Sequence, residues 1–501
     1  MKKLIASLLC VGGVLFGGGF KLNEHSLNSI ALSSAYVAGA NGADSSFYNP
    51  ANMGFGKFSD KHELEISTTW IHVPAFDFTT DFTKIKNQIG RDQGTQIQCS
   101  VKPNASFWDR LAALAVCSGV ALLGPSDISA GETSAKGHAN PTNFVYPEVF
   151  YKSPTFWGGF NVGLAVTAPS GMTMDWDGRG GDFLDYSFIA MVEVNPSISF
   201  KVGNWLGIGV GGRIMYGQGD FNNSLYVPYT AKQQVGSAII ATSGTTAVDQ
   251  VSSTNGVGFG YNVALSVKPL AFWTDSLTIS ATYRSPLHID FKGELSAIAT
   301  TGNKDNPLVK AQMDADLILS TDVPPVFQVG IAQRLGRFLI EAVYERNFWS
   351  YGNKFEFQYQ NQRFSNISGS MVSYMGKTEE ERAAYMQNMM SGADYDSVAI
   401  GRGWKDTNSY RVGVTMDVTQ KLKAMASFAY DETPVPKDGF GIPDANGYMM
   451  GVGVRYSMFN DSLDVGAAYS MTLKDNRDSY IQSENGLGKL QLVNVSMACR
   501  F

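Results

Sequence analysis

Apolar and polar residues alternate along many stretches of this chain, with the two-residue period of a strand and not the 3.6-residue period of a helix. Between Leu277 and Phe291 one face carries Leu277, Ile279, Ala281, Tyr283, Leu287 and Ile289, and the other Thr278, Ser280, Thr282, Arg284, His288 and Asp290. From Leu463 to Leu473 the residues Leu463, Val465, Ala467, Tyr469, Met471 and Leu473 stand against Asp464, Gly466, Ser470 and Thr472. Tyr410 to Val418 sets Tyr410, Val412, Val414, Met416 and Val418 against Arg411, Gly413, Thr415 and Asp417, and Tyr448 to Met458 leaves Arg455 on the small, polar face. A soluble sandwich alternates too, so the period alone leaves aqueous and membrane β-proteins both open.

Three features favour a closed barrel in a membrane. Tight Gly/Asn/Asp turns alternate with long excursions, about 79–140, 223–254 and 351–404, the asymmetry of short periplasmic turns and long outer loops. Aromatic residues gather near strand ends, as at Trp157, Phe348 and Trp349, where interfacial belts sit. The chain stops at Phe501, on an apolar face with Val495 and Met497, an ending that resembles the C-terminal signal read by the barrel-assembly machinery. The pattern from Glu63 to Phe501 predicts an all-β fold, a transmembrane antiparallel β-barrel of about 14 strands. Such a barrel meets outer-membrane lipid and lipopolysaccharide, and a monomer is expected.

Composition narrows this picture. A chain of 501 residues suits one large barrel, and 53 Gly with 30 Phe suits glycine-rich strands with aromatic girdles. A net charge of -6 with no Lys/Arg run leaves nucleic acid without a binding surface. Lys2 and Lys3, the apolar run Leu4 to Phe16 and the glycines Gly17, Gly18 and Gly19 read as a secretory signal over residues 1–19, with cleavage somewhere between Gly17 and Phe20. Cys10 follows Leu9, not the small residue of a lipoprotein signal. No later run of about 18 apolar residues exists, which excludes an inner-membrane helix. The expected location is the outer membrane of a Gram-negative bacterium.

Candidate chemistry is sparse. The five histidines, His25, His62, His72, His138 and His288, fall in no catalytic or metal-binding spacing, so neither an enzyme nor a cofactor nor a metal is expected. Cys99 and Cys117 share one outer loop of an exported chain and read as a disulfide staple, while Cys499 sits on the lipid side of the last strand. In the same loop Phe107 and Trp108 precede the apolar stretch Leu111 to Leu123, including Leu114, a surface that would either touch cargo or pack on neighbouring loops. In Phe160 to Asp175 the alternation meets Ala168, Pro169, Ser170 and Gly171, where Pro removes a ladder donor, and a kink is predicted. Arg213, Arg284, Arg411 and Arg455 should face the lumen with Glu148, Glu193, Asp417 and Asp464 and pair there. Arg213 or Arg284 would alternatively bind a carboxylate head group through its planar fork.

The segment GFKLNEHSLNSIALSSAYVAGANGADSSFYNPANM resembles the N-terminal hatch of the FadL family of outer-membrane transporters, including its Asn49, Pro50, Ala51 element. VNPSISFKVGNWLGIGVG, TYRSPLHIDFKG, GWKDTNSYRVGV and YDETPVPKDGFGIPD continue the resemblance in order along the chain. It implies a hatch over residues 20–58 inside a barrel over 59–501, and passive uptake of long-chain fatty acids or similar hydrophobic molecules. By the same resemblance Phe20 reaches into the ligand pocket, the outer-loop apolar stretch captures cargo, and the third-strand kink releases it sideways into the membrane. Some relatives place a basic pocket residue in the fifth strand where this chain has Gln218, which leaves a carboxylate-bearing cargo open. A carrier of monoaromatic hydrocarbons in the same family is the nearest alternative, and a general porin, which would lack a plug, the next.

Overall fold

The computed structural model describes residues 21–501 except 85–91, 93–94, 123–131, 184, 275, 303, 371, 391–396, 402, 438–443, 477–478 and 484–487. Fourteen antiparallel strands close the wall. They are β1 (Glu63–Val73), β2 (Thr142–Lys152), β3 (Phe160–Asp177), β4 (Tyr186–Val202), β5 (Leu206–Val235), β6 (Ala238–Val267) and β7 (Leu277–Arg284), followed by β8 (Val326–Leu335), β9 (Phe338–Asn347), β10 (Thr407–Asp417), β11 (Leu422–Asp431), β12 (Gly447–Met458), β13 (Leu463–Lys474) and β14 (Lys489–Arg500). Each pairs with its successor, and β1 against β14 closes the ring, so no edge is left in the hydrocarbon, where an unpaired backbone group costs several kcal/mol. Both ends of the barrel chain lie with the short turns: His62 and Phe501 exchange backbone hydrogen bonds of 3.0 and 3.1 Å.

Within the wall the apolar face points out. In β4 Val192, Val194, Ile198 and Phe200 are exposed, while Glu193, Asn195, Ser197 and Ser199 are buried. β1 does the same, with Ile66 and Trp70 outside and Glu63, Glu65, Ser67 and Thr69 inside. Cys499 lies on the outward phase of β14 and is free.

Above the wall the phase inverts. Arg284 and Ser285 both turn inward at the Ser285–Pro286 step, so in the continuation Leu287–Gly302 it is Leu287, Ile289, Phe291 and Leu295 that are buried and His288 and Asp290 that meet solvent. The sequence reading of one lipid-compatible face from Leu277 to Ile289 is therefore corrected. Pro286 has no N–H to give and the strand leaves its register, pairing next with the outer strand Pro307–Val323. Pro324 and Pro325 separate that strand from β8 in the same way.

The long excursions also carry regular structure. The segment 223–254 is no loop: β5 and β6 run 30 residues each to a two-residue turn at Gly236, whose φ is 61°. At 3.3 Å per residue that is roughly 100 Å, far beyond the apolar band of about 25 Å. The first excursion holds the strand Thr95–Val101 and the helix Phe107–Leu122, and the third holds the strand Lys354–Ser368 and the helix Glu379–Met390.

Candidate functional site

The N-terminal segment fills the lower lumen, and its side chains explain how. Helix α1 (Leu27–Ala31) is capped by Ser26, whose hydroxyl accepts from the Ser29 N–H at 3.3 Å. Helix α2 (Ser45–Tyr48) leads into Asn49, Pro50 and Ala51, where Pro50 opens a single 3-10 turn and Asn49 Oδ1 accepts from the Ala51 N–H. Asn49 Nδ2 donates to the Val37 carbonyl at 2.8 Å and to Ser266 on β6 at 3.0 Å. Ala51 lies so close to β5 that a Cβ on Gly209 would stand 2.5 Å from its nitrogen. Glycine is required there for the plug to seat.

The wall's inward charges hold this segment. Glu341 on β9 accepts the N–H groups of Val37, Ala38 and Gly39 at 2.6, 2.6 and 2.8 Å. Glu345 receives Lys21 at 2.9 Å, and Arg411 donates to the Ser33 carbonyl and to Asp431. Arg455 pairs with Glu65, Asp464 with Arg500, and Asp417 with Arg334. Glu341 and Glu345 were not singled out in the sequence, yet the rule that exposed Arg411 finds them, since both share the inward phase of β9.

Above the plug lies a cavity of ≈ 50 Å³ that brings together residues from four separate motifs: Pro50, Pro169, Ser170, Arg213 and Arg284 all border it. Leu22, Met215, Val323, Val326 and Trp349 supply its apolar lining. Trp349 is 1% exposed and packs edge-on against Trp404 at 5.1 Å, so its reading as part of an interfacial belt is corrected. Trp157, 87% exposed, stays at the surface.

Two guanidinium groups share one carboxylate here. Arg213 donates through Nε and Nη2 to Glu193 at 3.1 and 2.9 Å and through Nη1 to the Ser285 carbonyl at 2.6 Å. Arg284 Nη2 pairs with the other oxygen of Glu193, its guanidinium lies 4.3 Å over the Phe47 ring, and its Nη1 is buried with no hydrogen-bond partner among the described residues. The triad keeps one positive charge in excess beside an apolar space, an arrangement that favours an anion. Gln218 does not take part. It lies on the outward phase of β5 and donates to Asp220 at 3.0 Å, and the inward positions on either side of it are Gly217 and Gly219.

Beside the cavity the wall is incomplete. β2 and β3 pair only from Val149↔Val166 to Lys152↔Gly163, and no β3 partner faces residues 142–148 of β2. On its other edge β3 shifts register against β4 between Thr167 and Ser170, so Ala168 and Pro169 fall out of the ladder, while Gly171 pairs with Ala190. The Leu22 N–H donates to the freed Pro169 carbonyl at 2.9 Å. From β2, Glu148 lies 2.7 Å from His25 Nδ1 on the plug. The N-terminal segment thus stitches both sides of the gap.

The outer-loop residues lie apart from this cavity. In helix α3 (Phe107–Leu122), Phe107, Trp108, Leu111 and Leu114 are 71, 74, 54 and 56% exposed, while Ala113 is buried. Cys117 of α3 is bonded to Cys99. Phe20 lies outside the described residues.

Comparison with known proteins follows this geometry. Residues 8–496 match the family model described as outer membrane protein transport protein (OMPP1/FadL/TodX). The long-chain fatty acid transport protein of Escherichia coli O6:H1 is 24% identical over 369 residues, covering 70% of this chain and 74% of that one. Its counterpart in Escherichia coli K12 is 22% identical over 402 residues, covering 74% and 82%. Among solved structures, a FadL homologue of Pseudomonas aeruginosa superposes with a TM-score of 0.65 at 16% identity, covering 96% of this chain and 99% of that one. The toluene transporter TodX of Pseudomonas putida gives 0.63 at 13%, with the same coverage. At these identities the superpositions speak for the fold.

Proposed function

Because the chain belongs to the FadL/TodX family of outer-membrane transport proteins, a transporter of hydrophobic compounds, we propose that it carries long-chain fatty acids or similar acid-headed apolar molecules passively into the membrane. Cargo first meets the exposed face of α3 at Phe107, Trp108, Leu111 and Leu114. It moves down the apolar inner face of the outer strands, past Phe291 and Ile289, to the cavity above the plug. There the acid head group lies against Arg284 and Arg213, with Phe20 reaching the same pocket, and the molecule leaves sideways past Ala168, Pro169, Ser170 and Gly171.

The observation that carries this reading is the triad: two guanidinium groups, Arg213 buried and Arg284 partly so, on a single carboxylate, with Arg284 Nη1 unpartnered at an apolar cavity. A pocket meant for a hydrocarbon alone gains nothing from that excess charge, which costs free energy when buried unpaired. The test is a ligand screen of detergent-purified protein with oleate and toluene. Oleate binding is expected; binding of toluene with none of oleate would overturn the assignment in favour of aromatic cargo. Large, stable ion currents from the intact protein in a planar bilayer would count for an open porin instead.

A further inference from the structure

We propose that His25 and Glu148 form a proton relay at the edge of the wall gap, handing a proton to the carboxylate of a departing fatty acid so that it enters the bilayer as the neutral acid. The inference rests on the fatty-acid reading above and adds a chemical step to it. A carboxylate held by Arg284 is well placed while it stays, but an ionised head group cannot move into hydrocarbon without a large desolvation cost. Passage through the gap therefore asks for a proton at the cavity.

The structure puts a pair suited to that task there. Both side chains are fully buried, and Glu148 Oε1 lies 2.7 Å from His25 Nδ1. The other ends are buried and unspent: His25 Nε2 and Glu148 Oε2 have no hydrogen-bond partner among the described residues. His25 borders the cavity together with Arg284 and Pro169, and its ring meets Phe47 edge-on at 4.9 Å, the same ring that Arg284 covers from 4.3 Å. Glu148 stands on β2 at the gap, and the Ala168 amide freed from the β3 ladder approaches its carboxyl. No Lys or Arg forms an ion pair with Glu148 among the described residues, and the relay starts from its neutral acid form. In that state the Glu148 O–H donates to Nδ1, which fixes the tautomer with the proton on Nε2.

The step is a double transfer. The Glu148 carboxyl gives its proton to His25 Nδ1 as His25 gives the Nε2 proton to the cargo carboxylate. The neutral acid leaves through the gap, Glu148 remains as a carboxylate, and a proton from water restores it while the tautomer returns. No bond other than those to hydrogen is made or broken. A cargo without an acidic group needs none of this.

Cells making the full-length protein would be given oleate or oleyl alcohol, and uptake compared between the wild type, Glu148→Gln and His25→Gln. Each variant is expected to lower the ratio of oleate to oleyl alcohol uptake about tenfold, and in Glu148→Gln, whose side chain does not border the cavity, oleate affinity of the purified protein stays within twofold. An unchanged ratio, whether both cargoes slow together or neither does, would overturn the relay and leave the pair as a plug contact. An infrared difference between wild type and Glu148→Gln gives a second check: a protonated carboxyl C=O band supports the proposal, and its absence sinks it. A wild type that takes up no oleate would instead defeat the transport reading itself.

Discussion

The wall and the outer strands that continue it are built from the same kind of sequence and read in opposite senses. In β12 the outward residues are Tyr448, Met450, Val452 and Val454, all exposed, and the inward ones, Met449 apart, are small or polar. In Leu287–Gly302 the outward residues are His288, Asp290 and Glu294 and the inward ones Leu287, Ile289, Phe291 and Leu295. Alternation says that a strand has two different faces; the surrounding medium decides which faces out. Lipid takes the apolar face in the wall, and the polar inner face serves the plug. Water takes the polar face above, and the apolar inner faces pack into a core whose buried residues include Phe78, Trp176, Phe183 and Phe291.

The largest expected effect tests that inversion directly. Val452→Arg puts a charge on the lipid side and should cost about 2–4 kcal/mol if it lies near the bilayer midplane. The same charge at Ile298, outward on the outer strand, meets water and should stay within about 0.5 kcal/mol. Urea unfolding of both variants in lipid vesicles measures the difference. Equal losses would mean that the outer strands also face lipid.

The inner faces differ as sharply. Glu341→Ala removes the acceptor of three plug amides and should destabilise by roughly 1–3 kcal/mol, with raised ion conductance in a planar bilayer as the plug loosens. Ala299→Ser, inward on the outer strand, should leave conductance unchanged because no plug residue depends on it. Conductance that rises in neither variant would show that the Glu341 clasp does not hold the plug.

How much of this was legible depended on whether the period stayed in phase. β10, β12 and β13 keep one phase throughout, so Arg411, Arg455 and Asp464 were assigned inward from the sequence and are inward in the structure. The phase slips at Ser285–Pro286, and the assignment of Leu287 and Ile289 went with it. Segment 223–254 was read as an outer excursion between tight turns, but a hairpin with water outside needs no apolar outer face to keep its ladder. Trp349 was placed by residue type, and only tertiary packing reveals that it turns in toward Trp404. The partnership of His25 with Glu148, 123 residues apart, has no local signature at all.

At the boundary between the polar and apolar regions stands the cavity, where Arg284→Met should matter to affinity more than to stability. Losing a charge-assisted hydrogen bond to a carboxylate weakens oleate binding by about tenfold, near 1.4 kcal/mol, and Met keeps most of the volume over Phe47. Toluene binding, if any, should not fall. Isothermal titration of the detergent-purified variant decides it, and an unaltered oleate affinity would remove the head-group role from Arg284.

The smallest effect belongs farthest from the membrane. Trp108→Ser on α3 deletes a side chain that is 74% exposed, in a helix already stapled to Thr95–Val101 by Cys99 and Cys117, so stability should not change measurably. If the exposed apolar face of α3 collects cargo, the variant should take up oleate two- to threefold more slowly at low concentration and normally at saturation, because only capture is affected. Uptake measured across a range of oleate concentrations separates the two regimes. A defect of the same size at every concentration would place Trp108 in the path below and not at its entrance, and no defect at all would leave the face of α3 as a loop helix whose apolar surface serves something other than this cargo.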